Sequence, residues 1–444
     1  MTVRRVNPIA IPVDGEVLHL LPLLRSALTG AGPVLLPIGQ RDPRAGDIIA
    51  ALGAGPAPDA ALRTGEDDPA DPTALVMPTS GSTGTPKGVL VSAGQLAASA
   101  AATEARLGGP GTWLLALPAE HIAGMQVLLR AARAGTEPAV MDREKPFTAT
   151  DFVTHAQRLP GPRRYVSLVP TQLRRILADA DAAAATAEIF DAVLVGGAAT
   201  PPTLLETARA ARVPVVTTYG MTETCGGCVY DGVPLDGVTV TCHDKTLDDK
   251  ALSGKTFHNN AINDPDAVGS PGAIVLTGPM VARGYRNRPG DAAFARPGSF
   301  VTADTGEIAA DGTLTVLGRI DDVIVTGGIN VAPGPVEAAI KRLAGVEDAV
   351  VVGVPDKTWG QVVAAVIVPD RRAALGALGT VDATVAAGRA GETAWCSWDV
   401  ASLRAALTDL PAAHRPRHIV TVDAIPHLPS GKPDRAAVRA LVHR

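Results

Sequence analysis

Residues Pro78–Val89 read PTSGSTGTPKGV, a run that combines hydroxyl side chains, glycines and one lysine. Glycines let backbone N–H groups approach a phosphate, hydroxyls donate to phosphate oxygens, and Lys87 adds a mobile positive charge. The order of these residues differs from GxxxxGK[ST], the usual P-loop. The strand-like run TALVM precedes the loop, and the helical pattern GQLAASA follows it. We therefore expect a phosphate-binding loop between a strand and a helix, rather than a flexible Ser/Gly linker.

Short apolar runs alternate with alanine-rich amphipathic stretches on the C-terminal side of this loop. Examples are TWLLALP before GMQVLLRAARAG, YVSLVP before TQLRRILADADAAA, and AVLVGG before PPTLLETARAAR. This alternation is typical of parallel βαβ units. It predicts that the first two hundred residues form doubly wound parallel sheets.

The sequence changes character after Tyr219, where DG and TG pairs separate strand-like segments of mixed polarity. These pairs predict turns in an antiparallel, β-rich subdomain. From about Val331, helical and strand patterns predict a smaller α+β unit. The stretches 241–270 and 371–400 read as insertions or surface loops, and we assign no function to either.

The composition limits the classes of function. Lys and Arg total 40 against 45 for Asp and Glu, and the net charge of −5 gives no broad basic surface for nucleic acid or an anionic membrane. No segment approaches eighteen uninterrupted apolar residues, and the N-terminal segment reaches proline before an apolar signal region develops. Four cysteines are too few for a disulfide framework. We therefore expect a cytoplasmic protein without a nucleic-acid partner and without membrane insertion.

Three of the cysteines, Cys225, Cys228 and Cys242, lie close together in sequence, and His243 follows the last. A zinc site is one interpretation and a redox CxxC is another. Adjacent residues such as Cys242 and His243 seldom both reach one tetrahedral metal, which weakens the zinc interpretation. We favour small residues that line a pocket.

Four further motifs follow the phosphate loop. They are YGMTET at Tyr219–Thr224, TADTGEI around Asp304, GRIDDVIVTGGINVAPGPVE from Gly318, and LPSGKPDR from Leu428. Together with the loop, they resemble in type and order the motifs of the adenylate-forming superfamily, which includes acyl-CoA synthetases, luciferases and the adenylation domains of peptide synthetases. The resemblance covers the chain from about residue 75 to its end. It implies an enzyme that uses ATP and Mg²⁺ to activate a carboxylic acid.

The residue types in these motifs suit that chemistry. A carboxylate that attacks the α-phosphorus of ATP needs positive charge and oriented donors around the two anions. Glu223 is a hard oxygen ligand for Mg²⁺, and Thr222 can donate to the α-phosphate. Tyr219 offers a flat face for adenine, although it also suits a core aromatic, and Glu223 also suits a helix cap. Asp304 can accept both ribose hydroxyls, and its simpler alternative is a turn residue in ADTG.

The resemblance implies a set of residues that bind ATP or CoA. It comprises Thr79, Ser80, Gly81, Ser82, Thr83, Gly84, Thr85, Lys87, Gly196, Gly197, Ala198, Tyr219, Gly220, Met221, Asp304, Arg319, Asp321, Gly327 and Gly328. It also implies catalytic roles for Lys432, Thr222, Glu223 and His121.

The resemblance further implies a hinge between two domains. The predicted fold is α/β, with a large N-terminal domain over residues 1–318 that contains doubly wound parallel sheets and a β-rich subdomain. A small, mobile α+β C-terminal domain covers residues 319–444, with the hinge at Asp321. Rotation of this domain exchanges Lys432, which bridges the carboxylate and the α-phosphate, for a thiol tunnel beside Gly327 and Gly328.

Two features narrow the substrate. Only about 78 residues precede the phosphate loop, and the segment after Glu223 reads TCGGCVYDGVPLDGV. Both most resemble the 2-succinylbenzoate:CoA ligases of menaquinone biosynthesis, in which small residues leave room for a benzoate ring. His121 resembles the residue that gates the acyl pocket, or it is an ordinary histidine at a helix start. The alternatives are another aryl- or acyl-CoA synthetase, or a stand-alone enzyme that loads a carrier protein, and a homodimer is left open.

Overall fold

The computed structural model describes residues 4–55, 60–79, 86–243, 272–370, 398–427 and 433–442. These residues fall into two compact units. The first lies within residues 1–200, 204–302 and 307–315, and the second within residues 201–203, 303–306 and 316–444. The domain limits expected from the sequence, 1–318 and 319–444, remain predictions.

The first sheet contains the strands on both sides of the phosphate loop. In spatial order its strands are β1 (Val6–Ile11), β2 (Val34–Gly39), β3 (Thr73–Thr79), β4 (Lys87–Ser92) and β14 (Gly284–Tyr285). The pairs β1–β2 and β2–β3 are parallel, whereas β4 runs antiparallel to both β3 and β14. Apolar side chains on both faces of β2 and β3 are buried, as expected for strands covered by helices on both sides.

The second sheet confirms the predicted βαβ pattern. In spatial order its strands are β11 (Val233–Pro234), β10 (Gly226–Tyr230), β9 (Val215–Met221), β8 (Ala192–Val195), β7 (Arg164–Leu168), β5 (Thr112–Leu115) and β6 (Ala139–Val140). Pairing is parallel from β6 through β9 and antiparallel from β9 to β11. The carboxyl ends of β7, β8 and β9 therefore meet at one edge, where open α/β sheets bind their ligands.

The β-rich segment predicted after Tyr219 forms a third sheet. Its order is β12 (Thr239–His243), β13 (Gly272–Thr277), β15 (Ser299–Ile308) and β16 (Leu314–Arg319). The DG pair at Asp311–Gly312 lies in the turn before β16, with Gly312 at φ +84°. The pair at Thr305–Gly306 instead lies inside β15, so the turn expected there was wrong.

The fourth sheet belongs to the second unit. Its strands are β18 (Ile329–Val331), β17 (Ile324–Thr326), β20 (Gly360–Pro369), β19 (Val346–Asp356) and β21 (His418–Thr421), and β21 pairs with β20. One face of this sheet buries residues such as Val351, Ala365 and Ile367, and the other buries residues such as Val352 and Val366. The small unit therefore has its own hydrophobic core, as the predicted α+β domain requires.

The helices follow the amphipathic stretches of the sequence. They are α1 (Leu21–Leu28), α2 (Ala45–Leu52), α3 (Ala93–Arg106), α4 (Ile122–Ala134), α5 (Ala149–Ala156), α6 (Pro170–Leu177), α7 (Ala180–Ile189), α8 (Pro202–Ala210), α9 (Pro333–Lys341), α10 (Val400–Ala406) and α11 (Arg435–Val442). The stretch TQLRRILADADAAA forms two helices because the Asp179 carboxylate caps a new helix by accepting from the N–H groups of Asp181 and Ala182. Within the described ranges, no helix has both the length and the apolar character needed to cross a membrane.

Candidate functional site

The phosphate loop joins two antiparallel strands. β3 ends at Thr79, β4 begins at Lys87, and these two residues are paired across the ladder. The expected strand–loop–helix order was therefore wrong, because the apolar run GVLVS continues the sheet and α3 begins only after its cap, Ser92. The centre of the predicted loop, Ser80, Gly81, Ser82, Thr83, Gly84 and Thr85, lies outside the described residues.

The strand end that carries Lys87 is fixed by Asn287, which sequence analysis did not identify. Its side-chain N–H₂ donates to the Pro86 carbonyl at 2.7 Å, and its Oδ1 accepts from the Gly88 N–H at 3.2 Å. The ammonium of Lys87 lies 4.6 Å from the centre of the Tyr285 ring, within the range of a cation–π contact. Lys87 is thus held over the Tyr285 ring at the start of β4.

The predicted metal residue lies on a 3₁₀ turn over Thr222–Thr224, directly after β9. Glu223 is 9% exposed, and its Oε1 accepts a hydrogen bond from the Tyr285 hydroxyl at 2.7 Å. The turn is closed by Thr224, whose hydroxyl accepts from the Met221 N–H and donates to the Gly226 carbonyl. Thr222 and Glu223 therefore follow the carboxyl end of β9 in a defined conformation.

The geometry at Glu223 fits a magnesium ion that is shared with phosphate. In the described part of the chain, Oε2 of Glu223 has no hydrogen-bond donor, so this oxygen is available as a hard ligand. No three His, Cys, Asp or Glu side chains among the described residues converge to hold a metal ion by themselves. Mg²⁺ at Glu223 would take its other ligands from phosphate oxygens and water, which is its usual coordination with nucleotides.

The predicted adenine residues lie at the same edge of the second sheet. Gly196, Gly197 and Ala198 follow β8, and Tyr219, Gly220 and Met221 end the neighbouring parallel strand β9. A Cβ at Gly196 would collide with Thr218 Oγ1, so the two strand ends approach closely only because residue 196 is glycine. The structure thus brings these six predicted residues together.

His121 is the N-cap residue of α4 and makes no capping hydrogen bond with its side chain. The residue is exposed at the surface, but partial desolvation lowers the pKa of its imidazole and outweighs the opposing effect of the Glu120 carboxylate. The ring is therefore neutral at pH 7. Its position agrees with both sequence interpretations, the gate and the ordinary helix-start histidine.

The second unit contains the predicted ribose and hinge residues. Arg319 lies between two carboxylates, 3.9 Å from Asp304 and 3.3 Å from Asp321. Asp304 lies in β15, so the alternative that makes it a turn residue was wrong. The half-exposed guanidinium gains little stability from these pairs. It can exchange them for other hydrogen-bond partners at small cost.

The two aspartates of the turn after Arg319, Asp321 and Asp322, differ in how they are held. Asp322 pairs with Arg435 at 3.0 Å and with Arg439 at 3.6 Å, both on α11, and Arg435 also donates to Glu337 at 2.9 Å. The neighbouring Asp321 side chain is 66% exposed. Asp322 is therefore anchored to α11, whereas the more exposed Asp321 pairs with its near neighbour Arg319.

The remaining predicted residues of the small unit have different outcomes. Gly327 and Gly328 form the turn of the β17–β18 hairpin at φ +57° and +81°, a conformation that favours glycine. Lys432 lies outside the described residues.

The cysteines of the predicted cluster are divided between two parts of the fold. Cys225 directly precedes β10 and Cys228 lies within it, both fully buried, whereas Cys242 lies in β12 of the third sheet. Burial raises the pKa of all three thiols, to about 12 for Cys228 and about 11 for Cys242. These values describe apolar packing rather than a reactive thiol site.

Comparisons with known proteins extend these observations. The family model described as "AMP-binding enzyme" matches residues 36–286, and the model described as "AMP-binding enzyme C-terminal domain" matches residues 335–432. A probable 2-succinylbenzoate–CoA ligase from Mycobacterium tuberculosis (strain H37Rv) is 41% identical over 431 residues, which are 96% of each chain. A 2-succinylbenzoate–CoA ligase from Geobacillus kaustophilus is 34% identical over 71% of this chain and 62% of its own.

Solved structures agree in fold. ATP-bound MatB from Rhodopseudomonas palustris superposes with a TM-score of 0.72 at 24% identity, over 99% of this chain and 89% of that one. The o-succinylbenzoate CoA synthetase of Bacillus subtilis, in complex with ATP and magnesium, superposes with a TM-score of 0.71 at 23% identity, over 100% and 90%. These similarities confirm the predicted α/β fold class.

Proposed function

The chain belongs to the AMP-binding enzyme family, and from this premise we propose that it is an AMP-forming acid:CoA ligase that acts on 2-succinylbenzoate. One observation carries the proposal: the 41% identity to a probable 2-succinylbenzoate–CoA ligase extends over 96% of both chains. It therefore includes the segments around the phosphate loop, the metal carboxylate and the small unit alike. The product, 2-succinylbenzoyl-CoA, belongs to menaquinone biosynthesis.

The reaction has two balanced steps. In the first, a carboxylate oxygen of the acid attacks the α-phosphorus of ATP, the bond to the bridging oxygen breaks, and pyrophosphate leaves with that electron pair. In the second, the sulfur of CoA attacks the acyl carbon, its proton is released, and AMP leaves. Each step transfers negative charge between groups, so each is accelerated by positive charge and by fixed hydrogen-bond donors.

The residues of the large unit suit the first step. Lys87 places a positive charge at the phosphate loop, and Thr222 offers a hydroxyl donor to the α-phosphate. Glu223 would hold Mg²⁺, which when bound neutralises charge on the phosphate oxygens. We assign the glycines after β8 and the aromatic face of Tyr219 to adenine, at the carboxyl ends of the two neighbouring parallel strands.

The residues of the small unit suit an exchange between the two steps. We assign Asp304 and Arg319 to the ribose, Lys432 to charge neutralisation during adenylation, and Gly327 and Gly328 to the path of the thiol. Asp321 is the proposed hinge because the chain beyond it is anchored through Asp322 to α11, the helix that follows Lys432. His121 is assigned to the acyl gate, where a neutral ring can move without the cost of burying a charge.

Two further expectations accompany this function. We place the enzyme in the cytoplasm because its substrates ATP and CoA are supplied there. The homodimer remains a prediction, which light scattering on the purified protein tests.

The test is a panel of acids with purified protein, ATP, Mg²⁺ and CoA. We expect AMP and a CoA thioester to form with 2-succinylbenzoate, at a kcat/KM well above those for benzoate and a medium-chain fatty acid. Mass spectrometry identifies the thioester, and omission of CoA stops the reaction at the adenylate. Preference for the fatty acid would overturn the substrate and retain the ligase. AMP release that no CoA thioester accompanies would favour a carrier-loading enzyme.

A further inference from the structure

The segment Ala282–Asn287, called here the strap, lies between β4, which begins at Lys87, and the turn that carries Glu223. The Ala282 N–H donates to the Glu223 carbonyl at 2.8 Å. On the other side, the Arg283 and Arg286 N–H groups donate to the carbonyls of Leu90 and Gly88, at 3.0 and 2.8 Å. The strap therefore contacts the backbone of both functional segments.

The strap is anchored by a fully buried guanidinium. Arg286 donates to the carbonyls of Leu52, Gly53 and Ala61, at 2.6, 3.0 and 3.0 Å, and pairs with the buried carboxylate of Glu66. Removal of one partner from such a buried network is strongly unfavourable. The backbone position of the neighbouring Tyr285 is consequently well defined.

The Tyr285 side chain is itself fixed in orientation. It is 5% exposed, and the ring of Phe294 contacts it edge to face, at 5.1 Å between ring centres and 83° between planes. The phenol is a hydrogen-bond donor at neutral pH, and its hydroxyl donates to the Glu223 carboxylate. A rigid phenol offers two different groups, its O–H and its ring face.

Each of these groups contacts one ionic side chain of the proposed site. The O–H donates to Glu223 Oε1 at 2.7 Å, and no donor among the described residues contacts Oε2. The ring lies 4.6 Å from the Lys87 ammonium. Direct pairing of Lys87 with Glu223 would neutralise both groups before a substrate arrived, and contacts with a neutral phenol avoid that loss.

We propose that Tyr285 is a positioning residue that orients the Glu223 carboxylate for the metal and holds the Lys87 ammonium over its ring, at the start of β4, before nucleotide binds. This inference rests on the proposed function, because it assigns Glu223 and Lys87 the roles given above. In this role Tyr285 contacts neither the acid nor CoA, and it acts through Glu223 and Lys87.

The test measures binding of ATP at equilibrium, with saturating Mg²⁺ and with EDTA, by calorimetry and without acid or CoA. In Tyr285→Phe the ring remains and the hydroxyl is lost. We expect the Mg²⁺-dependent gain in ATP affinity to fall about tenfold, the scale of a hydrogen bond to a charged group. The affinity in EDTA should stay within about twofold of wild type. In Tyr285→Leu, which also removes the ring, the affinity in EDTA should fall as well.

The controls separate positioning from folding. Tyr165→Phe removes another buried hydroxyl, which donates to the carbonyls of Leu107 and Gly109, and should leave both affinities unchanged. In a Glu223→Gln background, Tyr285→Phe should cause no further loss of the increase in ATP affinity that Mg²⁺ produces. Thermal unfolding checks that all variants are folded.

Each outcome is decisive. The role toward Glu223 is overturned if Tyr285→Phe keeps the wild-type increase in ATP affinity on addition of Mg²⁺. It is also overturned if Tyr285→Phe lowers that increase by the same factor in the Glu223→Gln background as in wild type. Equal affinities of Tyr285→Phe and Tyr285→Leu in EDTA overturn the role toward Lys87. A wild type that makes no CoA thioester contradicts the proposed function, while the same binding measurements still decide the role of Tyr285.

Discussion

Single residues of this protein take their chemical character from burial. Cys225, with a free thiol in an otherwise reactive-looking CGGC sequence, is fully buried, and its neighbour Cys228 is equally inaccessible. Desolvation disfavours the thiolate, which is the nucleophilic form. Glu223 is also buried but keeps a donor, Tyr285. Burial therefore disfavours the thiolate form of the two cysteines, whereas the buried Glu223 carboxylate is stabilised by a hydrogen bond from Tyr285.

Alkylation as a function of pH tests this view of the cysteines. In the native protein at pH 8, iodoacetamide should leave Cys225 and Cys228 unmodified and should label the half-buried Cys242 slowly. A thiol pKa of about 11 in place of the ordinary 9 lowers the thiolate fraction about a hundredfold. Because the pKa values are raised, labelling should increase as the pH rises from 8 to 10. Mass spectrometry of peptides measures the labelling of each cysteine, with urea-unfolded protein as the control. Rapid labelling of Cys225 in the native protein would contradict its assignment as a buried packing residue.

Strand elements set how closely the backbones approach at the site. Gly220 of β9 is paired with Gly227 of β10, and a Cβ at Gly220 would collide with the Gly226 carbonyl. Gly226 has φ +99°, a conformation that L side chains rarely adopt. A Cβ at Gly227 would lie 3.0 Å from Tyr230 Cε1 and 3.2 Å from Thr218 Cβ. Glycine at these three positions therefore allows the close approach of β9 and β10, or the positive φ, on both sides of the Thr222–Thr224 turn.

Substitution in β10 should alter the acid site more than the nucleotide site. Gly227 belongs to the segment after Glu223 whose small residues are expected to leave room for a benzoate ring, and Gly227→Ala must displace Tyr230 or Thr218. We expect KM for 2-succinylbenzoate to rise about tenfold, because a clash of this size costs roughly 1–3 kcal/mol, while KM for ATP stays near wild type. Steady-state kinetics with each substrate varied in turn measures both constants.

The matched control is Gly46→Ala on α2, where a Cβ meets nothing within 4 Å. It should change neither constant. An unchanged KM for the acid in a stably folded Gly227→Ala enzyme would remove Gly227 from the pocket wall.

At the scale of the whole molecule, each of the two units has its own core. The small unit buries both faces of its sheet, and Asp322 is tied to α11 by two arginines. A unit of this kind can move as one body about a few residues. The two half-reactions then need not share one arrangement, which makes them separable by mutation.

Lys432→Ala should impair the first half-reaction only. We expect adenylate formation to be nearly abolished, while thioester formation from pre-made acyl-adenylate survives, because the lysine charge is needed while pyrophosphate leaves. Pyrophosphate release and thioester yield from synthetic adenylate are measured separately. Equal loss of both would argue against an exchange of arrangements.

Asp321→Pro should have the opposite effect. Proline fixes φ near −65°, so the hinge cannot rotate, and adenylation should persist while thioesterification stops. The same two assays apply, with Asp311→Pro as a control in a turn of the large unit. Normal turnover by Asp321→Pro would exclude Asp321 as the hinge.

The sequence by itself determined the features that depend on neighbouring residues. Apolar runs such as AVLV and YVSL specified strands, and the alternation with amphipathic stretches specified the βαβ sheet. These features follow from local backbone preferences and from the periodicity of side chains, both of which can be read over a few residues.

Tertiary structure alone decided which strands pair and which side chains from distant segments contact each other. GVLVS has the same local pattern whether it begins a helical segment or returns along the sheet, and only its ladder with β3 made the loop part of a hairpin. Tyr285 ends an unremarked ARGY segment, yet it lies 62 residues along the chain from the carboxylate to which it donates. Contacts between distant segments depend on how whole elements pack, and no local preference encodes which side chains they bring together.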